Sequence, residues 1–339
     1  MKRLLSLTFI IAAVTIFASG CVRKVTVAEV LPIQEPVTTE ELVNRINSYS
    51  EVKTFSAQAG VLVRNYFTGV GTKAEEFPEG NGAIRLQRPE NIRMQVKAPV
   101  ISARVADMVS DGRQFRLAIY YPSDKRRFVH GSNLSDLDHL DVNELKDMKD
   151  PEIARAGGLV NMRPQHVTDA FLIKPTTAND RTEIFREEVR QEDIDSRSVK
   201  KKNRVDRTYY VLYVLERNDR GFLELRRKFW FDRTQKETPL VRQQTFENGG
   251  GKVASDIIYS DWFTIPGTGR KWPARVVVDR RYDGYRIELT LEKETVEVNL
   301  DLPGTTFILE NTEGLKEVDL DAPRKMQAAP GRHLQQDLP

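Results

Sequence analysis

The feature that most constrains this chain is a punctuated alternation of apolar and polar residues. It runs through the sequence in two blocks, with turn signals about every ten residues. In the first block the strand candidates are 54–65, 81–88, 91–98, 102–110 and 113–121. Between them lie Gly80-Asn81-Gly82, Arg88-Pro89-Glu90-Asn91, Ala98-Pro99 and Ser110-Asp111-Gly112, residue types that turn the chain without steric cost. In the second block YYVLYVLE, LELRRKFWF, PLVRQQTF, ASDIIYSDWF, ARVVVDRR and YRIELTLEK follow one another after residue 207. Asn218-Asp219-Arg220-Gly221, Asn248-Gly249-Gly250-Gly251, Pro266-Gly267 and Asp283-Gly284 separate them, and the Asp-Gly pair suits a type I′ hairpin. Ile287, Leu289 and Leu291 alternate with Glu288, Thr290 and Glu292, so one side of that strand is apolar and the other wet. Such spacing predicts a mostly β, α+β fold: one curved antiparallel sheet forming an open half-barrel.

Two helical stretches interrupt the pattern. Thr38 and Glu41 stand at capping-box spacing, and Leu42, Ile46 and Tyr49 fall on one face, which predicts an amphipathic helix over 38–49. Within 133–175, Leu134, Leu137 and Leu140 recur at helical spacing. Pro164 can open a further helix with Val167, Ala170 and Phe171 on its apolar face, and Pro175 ends it. These short helices are expected to cover the mouth of the sheet.

The N-terminal end has a different character. Lys2 and Arg3 precede a run from Leu4 to Phe17 that is nearly all apolar, and Ala18, Ser19 and Gly20 lead into Cys21, the single cysteine of the 339 residues. The run has the length of a signal-peptide core and is short for a membrane span. Small residues running directly into a lone cysteine resemble the bacterial lipobox. On that reading residues 1–20 are a lipoprotein signal peptide and Cys21 carries the lipid. Residues 21–37, with two prolines and no helical period, form an extended tether. The folded domain then occupies 38–312, and 313–339, which lose the alternation, read as a disordered tail.

Composition narrows the function classes. The 52 Lys and Arg nearly balance 49 Asp and Glu, which argues against a general nucleic-acid binder. Residues 176–205 are charge-dense and include Lys200-Lys201-Lys202. They can be read as a basic loop for anionic headgroups, but the interspersed acids favour a solvated loop or a charged strand edge. No motif for nucleophilic, metallohydrolase or phosphate-loop chemistry is found, and Gly249-Gly250-Gly251-Lys252 reads as a hairpin turn. Asp136, Asp138, His139 and Asp141 form the one cluster of metal-ligating types, without the glycine a calcium loop needs. The expectation is a non-enzymatic protein with no cofactor and no metal.

The order of lipobox, tether, amphipathic helix, meander, helical insert and second meander resembles the outer-membrane lipoprotein receptor of the Lol pathway and its periplasmic carrier relative. The most similar stretch is RMQVKAPVISARVADMVSDG, residues 93–112. NMRPQHVTDAFLI and the span from FDRTQKETPLVRQQTF to RRYDGYRIELTLEK are also similar to that family. The resemblance implies an apolar cavity for acyl chains of lipoproteins or lipids. It also implies a membrane- or cargo-transfer loop at Pro99, Val100 and Ile101, with Val100 at the place of a protruding Leu. Cavity candidates are Leu62, Ile84, Leu86, Met94, Val96, Val105, Phe115, Leu117, Phe171, Phe229, Phe231, Ile257, Val276 and Leu289. Plain core packing is the competing reading for each. Val22, rather than Asp, follows Cys21, which suggests the outer membrane, facing the periplasm, with a periplasmic carrier protein as a further partner. The alternative is an envelope sensor or assembly subunit that uses the half-barrel to bind protein.

Overall fold

The computed structural model describes residues 28–66, 75–76, 79–98, 103–121, 123, 126–133, 162–195, 203–247 and 251–321. The strands are β1 (Glu29–Val30), β2 (Thr54–Asn65), β3 (Glu75–Glu76), β4 (Gly80–Gln87), β5 (Asn91–Lys97), β6 (Arg104–Ser110), β7 (Gln114–Ile119), β8 (Arg127–Ser132), β9 (Thr182–Ile194), β10 (Arg204–Arg217), β11 (Leu223–Asp232), β12 (Leu240–Phe246), β13 (Val253–Thr264), β14 (Lys271–Arg280), β15 (Tyr285–Leu291), β16 (Glu297–Val298) and β17 (Glu317–Asp319). The α-helices are α1 (Thr39–Ser48) and α2 (Pro164–Phe171).

All strands belong to one open, curved sheet. Antiparallel neighbours run β9-β10-β11-β12-β13-β14-β15-β2-β4-β5-β6-β7-β8. The two meanders therefore join where β2 lies between β15 and β4. The sheet is mixed rather than purely antiparallel, because β1 runs parallel to β10 and β17 parallel to β8. Both are short end segments that add to a strand after a long crossover, where no hairpin dictates direction.

Alternation decides which residues face inward. On β2, Phe55, Ala57, Ala59 and Val61 are buried against the helices, while Ser56, Gln58 and Gly60 point the other way. Cross-strand rows continue that face: Val61 lies opposite Leu289, Leu289 opposite Val276, and Val276 opposite Tyr259. Leu42 and Ile46 of α1 and Val167, Ala170 and Phe171 of α2 join these residues in one core cluster.

The opposite face is covered in the β5–β8 half. Val109, Ala118 and Phe128 pack there with Leu309 and Leu315. Arg93 donates to the Thr306 carbonyl at 3.0 Å and Arg116 to that of Leu309 at 3.1 Å, which ties the crossing segment down. Consequently the fold does not stop at residue 312. Leu315, β17 and Leu320 belong to it, so residues 313–321 of the expected tail are part of the fold, and 322–339 lie outside the described residues. Part of the charge-dense stretch is β9, a strand at the sheet edge; Lys200–Lys202 lie outside the described residues. The Asp283-Gly284 turn is not type I′. Only Gly284 has positive φ, at 82°, and the buried Asp283 carboxylate instead accepts from Arg280.

Candidate functional site

The concave face under the two helices is the place where the sequence expectation and the structure meet. Thr38 caps α1: its hydroxyl accepts from the Glu41 N–H at 3.2 Å, and its own N–H donates to the Glu41 carboxylate at 2.7 Å. That reciprocal pair holds the Glu41 carboxyl below the usual carboxylate range, the Thr38 N–H being the larger cause and its hydroxyl the next. The helix is amphipathic, so Leu42 and Ile46 become fully buried while Glu40, Glu41 and Asn44 remain in water. Pro164 opens α2, where its missing N–H costs nothing.

Beneath the helices lies an aromatic layer. Phe55 stacks on Trp272 with ring centroids 5.4 Å apart and meets Phe171 of α2 at 5.3 Å. Tyr49, at the end of α1, approaches the Trp272 ring edge-on at 5.4 Å. The Tyr259 hydroxyl donates to the Ala170 carbonyl of α2 at 2.8 Å, and burial drives its pKa well above that of an ordinary phenol. His166 of α2 is paired with the Tyr285 hydroxyl.

Besides contacts such as Arg45 to the Thr238 carbonyl at 3.0 Å and Arg270 to that of Ser48 at 2.9 Å, two polar clasps join the ends of the helices to the sheet and to each other. Arg88, in the turn between β4 and β5, donates to the Val52 carbonyl at 2.9 Å and the Tyr49 carbonyl at 3.1 Å beyond α1. The same guanidinium donates to Leu172 at 3.3 Å and Ile173 at 3.1 Å, just past α2. Partial burial lowers its pKa. The second clasp is Asn47. Its amide nitrogen donates to the Thr176 carbonyl at 2.9 Å, and its oxygen accepts from the Thr176 N–H at 2.7 Å.

The predicted residues distribute unequally over this site. Ile84, Leu86, Met94, Phe171, Phe229, Phe231, Ile257, Val276 and Leu289 lie together in the main core cluster, packed against α1 and α2. Val96 and Leu117 are partly buried beside it. Phe115 belongs to a satellite cluster with Val129 and Leu320, where Gly131 leaves room for its ring. Leu62 and Val105 are on the other face. Leu62 is out of phase with Val61 and Val63, and Val105 shares the phase of Asp107 and Val109, not of Met108. Cys21, Pro99, Val100 and Ile101 lie outside the described residues, as do Asp136, Asp138, His139 and Asp141. The flanking Ala98 N–H donates to the Ala103 carbonyl at 2.9 Å, so the strands on either side of the loop are joined.

Sequence reasoning missed Arg88, Asn47, Trp272 and Phe55. Arg88 carried only a turn signal, and Trp272 sits beside Pro273, which masks its strand. The recesses elsewhere are polar. A cleft of about 630 Å³ at the β9–β11 end is lined by Arg181, Arg217, Asp219, Glu224 and Arg226. Another of about 460 Å³ lies by His130, Leu309 and Asp319. Among the described residues no group of three His, Cys, Asp or Glu is placed to hold a metal ion. No described helix is long and apolar enough to cross a membrane.

No family model matches the chain, and no curated protein matches it. Solved structures similar to this chain include the following, all at low identity. A DUF1329 family protein from Desulfovibrio piger is 9% identical, with 79% of this chain and 94% of that one covered and a TM-score of 0.39. A domain assigned to outer membrane lipoprotein sorting from Vibrio parahaemolyticus is 7% identical over 79% and 94%, with a TM-score of 0.38. An uncharacterized conserved protein from Thermus thermophilus is 8% identical over 83% and 99%, with a TM-score of 0.27.

Proposed function

We propose that this chain is a lipid-anchored envelope protein that binds acyl chains on the concave face of its sheet, for lipoprotein or lipid localisation to the outer membrane. It acts without changing its cargo chemically. The observation that carries the reading is the clasp at Arg88. Two short helices cover a wide apolar face, and one guanidinium holds the ends of both. Other polar contacts also reach the cover, among them Arg45 to the Thr238 carbonyl at 3.0 Å and Tyr259 to that of Ala170 at 2.8 Å. Arg88, however, joins the ends of both helices to the sheet, and lifting the cover exposes Phe55 and Trp272 together. An acyl chain would replace the side chains of α1 and α2 against the same surface. Release needs no chemistry either, since the helices compete with the cargo for one face.

Under this proposal Cys21 carries lipid, each buried CH₂ of which contributes ~0.8 kcal/mol to membrane anchoring. The loop at Pro99, Val100 and Ile101 passes cargo to the membrane, and a periplasmic carrier protein delivers it. Titration of the Cys21→Ala chain with a fluorescent fatty acyl probe, competed by an acylated peptide, is the test. Saturable, competable binding that strengthens in Arg88→Leu is expected. No binding in either protein would overturn the reading. For the anchor, wild-type chain without lipid mass that fractionates as a soluble protein would do the same.

A second reading, a sensor or assembly subunit that binds protein, is favoured by one observation. The cavity candidates in the main cluster are filled against the molecule's own side chains, as in an ordinary core. A stable protein complex recovered with no acyl species would select it.

A further inference from the structure

We infer that the outer edge of β9 is a self-complementary docking strand, and that two copies of this chain pair antiparallel there about a two-fold axis at Val189. The inference does not depend on the acyl-binding proposal.

The ladder with β10 shows which backbone groups are free. The Asp195 N–H donates to the Asn203 carbonyl, and the Arg217 N–H donates to that of Arg181, at either end of one unbroken register. Bonded pairs alternate in an antiparallel ladder, so odd residues of β9 point their backbone groups at β10. The N–H and C=O groups of Ile184, Arg186, Glu188, Arg190, Glu192 and Ile194 therefore point away from the sheet, while those of Thr182 are bonded to Asn179. Among the described residues β10 is the one strand that pairs with β9. The edge is 13 residues long, and Phe185 and Ile194 are more than half exposed on it. A long open edge carrying exposed apolar side chains is a template for another strand.

The sequence of the edge selects the partner. Read along the outward-bonding positions, the side chains are Ile184, Arg186, Glu188, Arg190, Glu192 and Ile194. That series is complementary to its own reverse. With the axis at Val189, Ile184 faces the partner's Ile194, Arg186 faces the partner's Glu192, and Glu188 faces the partner's Arg190. On the other side of the strand Val189 meets the partner's Val189, Phe185 faces the partner's Asp193, and Glu187 faces the partner's Gln191. Like charges meet only at the ends, Glu183 opposite the partner's Asp195, and Glu183 is already held by Arg217 at 2.8 Å. Moving the axis to Glu188 sets Arg186 against the partner's Arg190. Moving it to Arg190 sets Glu188 against the partner's Glu192. Moving it to Glu187 leaves Ile184 against the partner's Arg190. The charges thus favour one register and oppose its neighbours.

The facing charges also continue alternation within the sheet. Arg190 contacts Asp206 at 2.7 Å, Glu192 approaches Arg204 at 3.5 Å, and Glu188 contacts Arg233 at 2.6 Å. Each would gain a second partner of opposite sign across the axis. Because these side chains are about half exposed, pairing demands little new desolvation.

Sedimentation of the full chain carrying Cys21→Ala, over a concentration series at low and high salt, tests the inference. A reversible dimer that weakens with salt is expected. Arg186→Glu and Glu192→Arg should each weaken it about tenfold or more, because each sets two like pairs opposite one another. Mixing the two variants should restore a heterodimer, since Glu then faces Arg at both positions. Loss of fold in either variant would be seen by circular dichroism and would not be repaired by mixing. In the same background Val189→Cys should form an intermolecular disulfide, and Glu187→Cys should not. A chain that stays monomeric at low salt, a dimer indifferent to both variants, variants that do not recover on mixing, or cross-linking through Glu187→Cys would each overturn it.

Discussion

The guanidinium of Arg88 lies 3.1 Å from the Tyr49 carbonyl and so reaches from the β4–β5 turn to the end of the first helix. Its other hydrogen bonds go to Val52, Leu172 and Ile173, all of them backbone carbonyls that a helix end or loop would otherwise leave to water. Replacing Arg88 with Leu removes all four donors at once. Hydrogen bonds to a charged group contribute about 1.5–3 kcal/mol, and urea unfolding of Arg88→Leu should show a loss of about that size. Arg88→Lys should not restore it, because an ammonium cannot span two helix ends as a planar fork does.

Acid should loosen α1 before the sheet. The Glu41 carboxyl is held below its ordinary pKa by the Thr38 N–H and hydroxyl, so the folded helix prefers the ionised form. The stabilisation is complete above the unfolded carboxylate pKa and is lost as pH falls through the lower folded value. Amide exchange in residues 39–48 should therefore accelerate on acidification. Glu41→Gln should remove that pH step, and Thr38→Ala should cost about 1 kcal/mol at neutral pH. An unchanged step in Glu41→Gln would show that another group governs it.

Phe231 and Leu62 separate the two faces experimentally. Phe231 is 1% exposed in the main cluster, and Phe231→Ala should cost about 3–5 kcal/mol. Leu62 shares the wet phase of β2 with Ser56 and Gln58, so Leu62→Ala should cost less than about 1.5 kcal/mol. Chemical denaturation of both variants checks the order, and equal losses would place Leu62 in the core after all.

The contrast also indicates what the sequence could carry. β2 was legible at its full length, 54–65, and the capping box at Thr38 and Glu41 is present as spaced, because both signals are local. Face was not legible at Leu62, since Val61-Leu62-Val63 is apolar throughout and a period of two leaves no mark in it. At Val105 the shift between Val96 and Lys97 moves the β5–β6 register, which alternation alone does not reveal. β17 is three residues whose partner, β8, is nearly two hundred positions away. Arg88 and Asn47 act through backbone carbonyls of distant segments, and no spacing rule points to such contacts.

The two clasps predict that α1 and α2 undock together. Asn47 ties α1 to Thr176, beyond α2, while Arg88 ties both helices to the sheet. If the cover is one body, breaking either clasp weakens the protection of both helices, because neither can leave without the other's carbonyls losing a donor. Hydrogen exchange followed by mass spectrometry should then show 39–48 and 164–171 speeding up together in Asn47→Ala and in Arg88→Leu, with β10–β15 unchanged. The double variant should show less than the sum of the two single losses, since the second substitution acts on a cover already released. Acyl-probe uptake should rise in the same order as the exchange rates. Acceleration confined to α1 in Asn47→Ala, with α2 fully protected, would mean that the helices are separate covers and that Arg88 closes them independently.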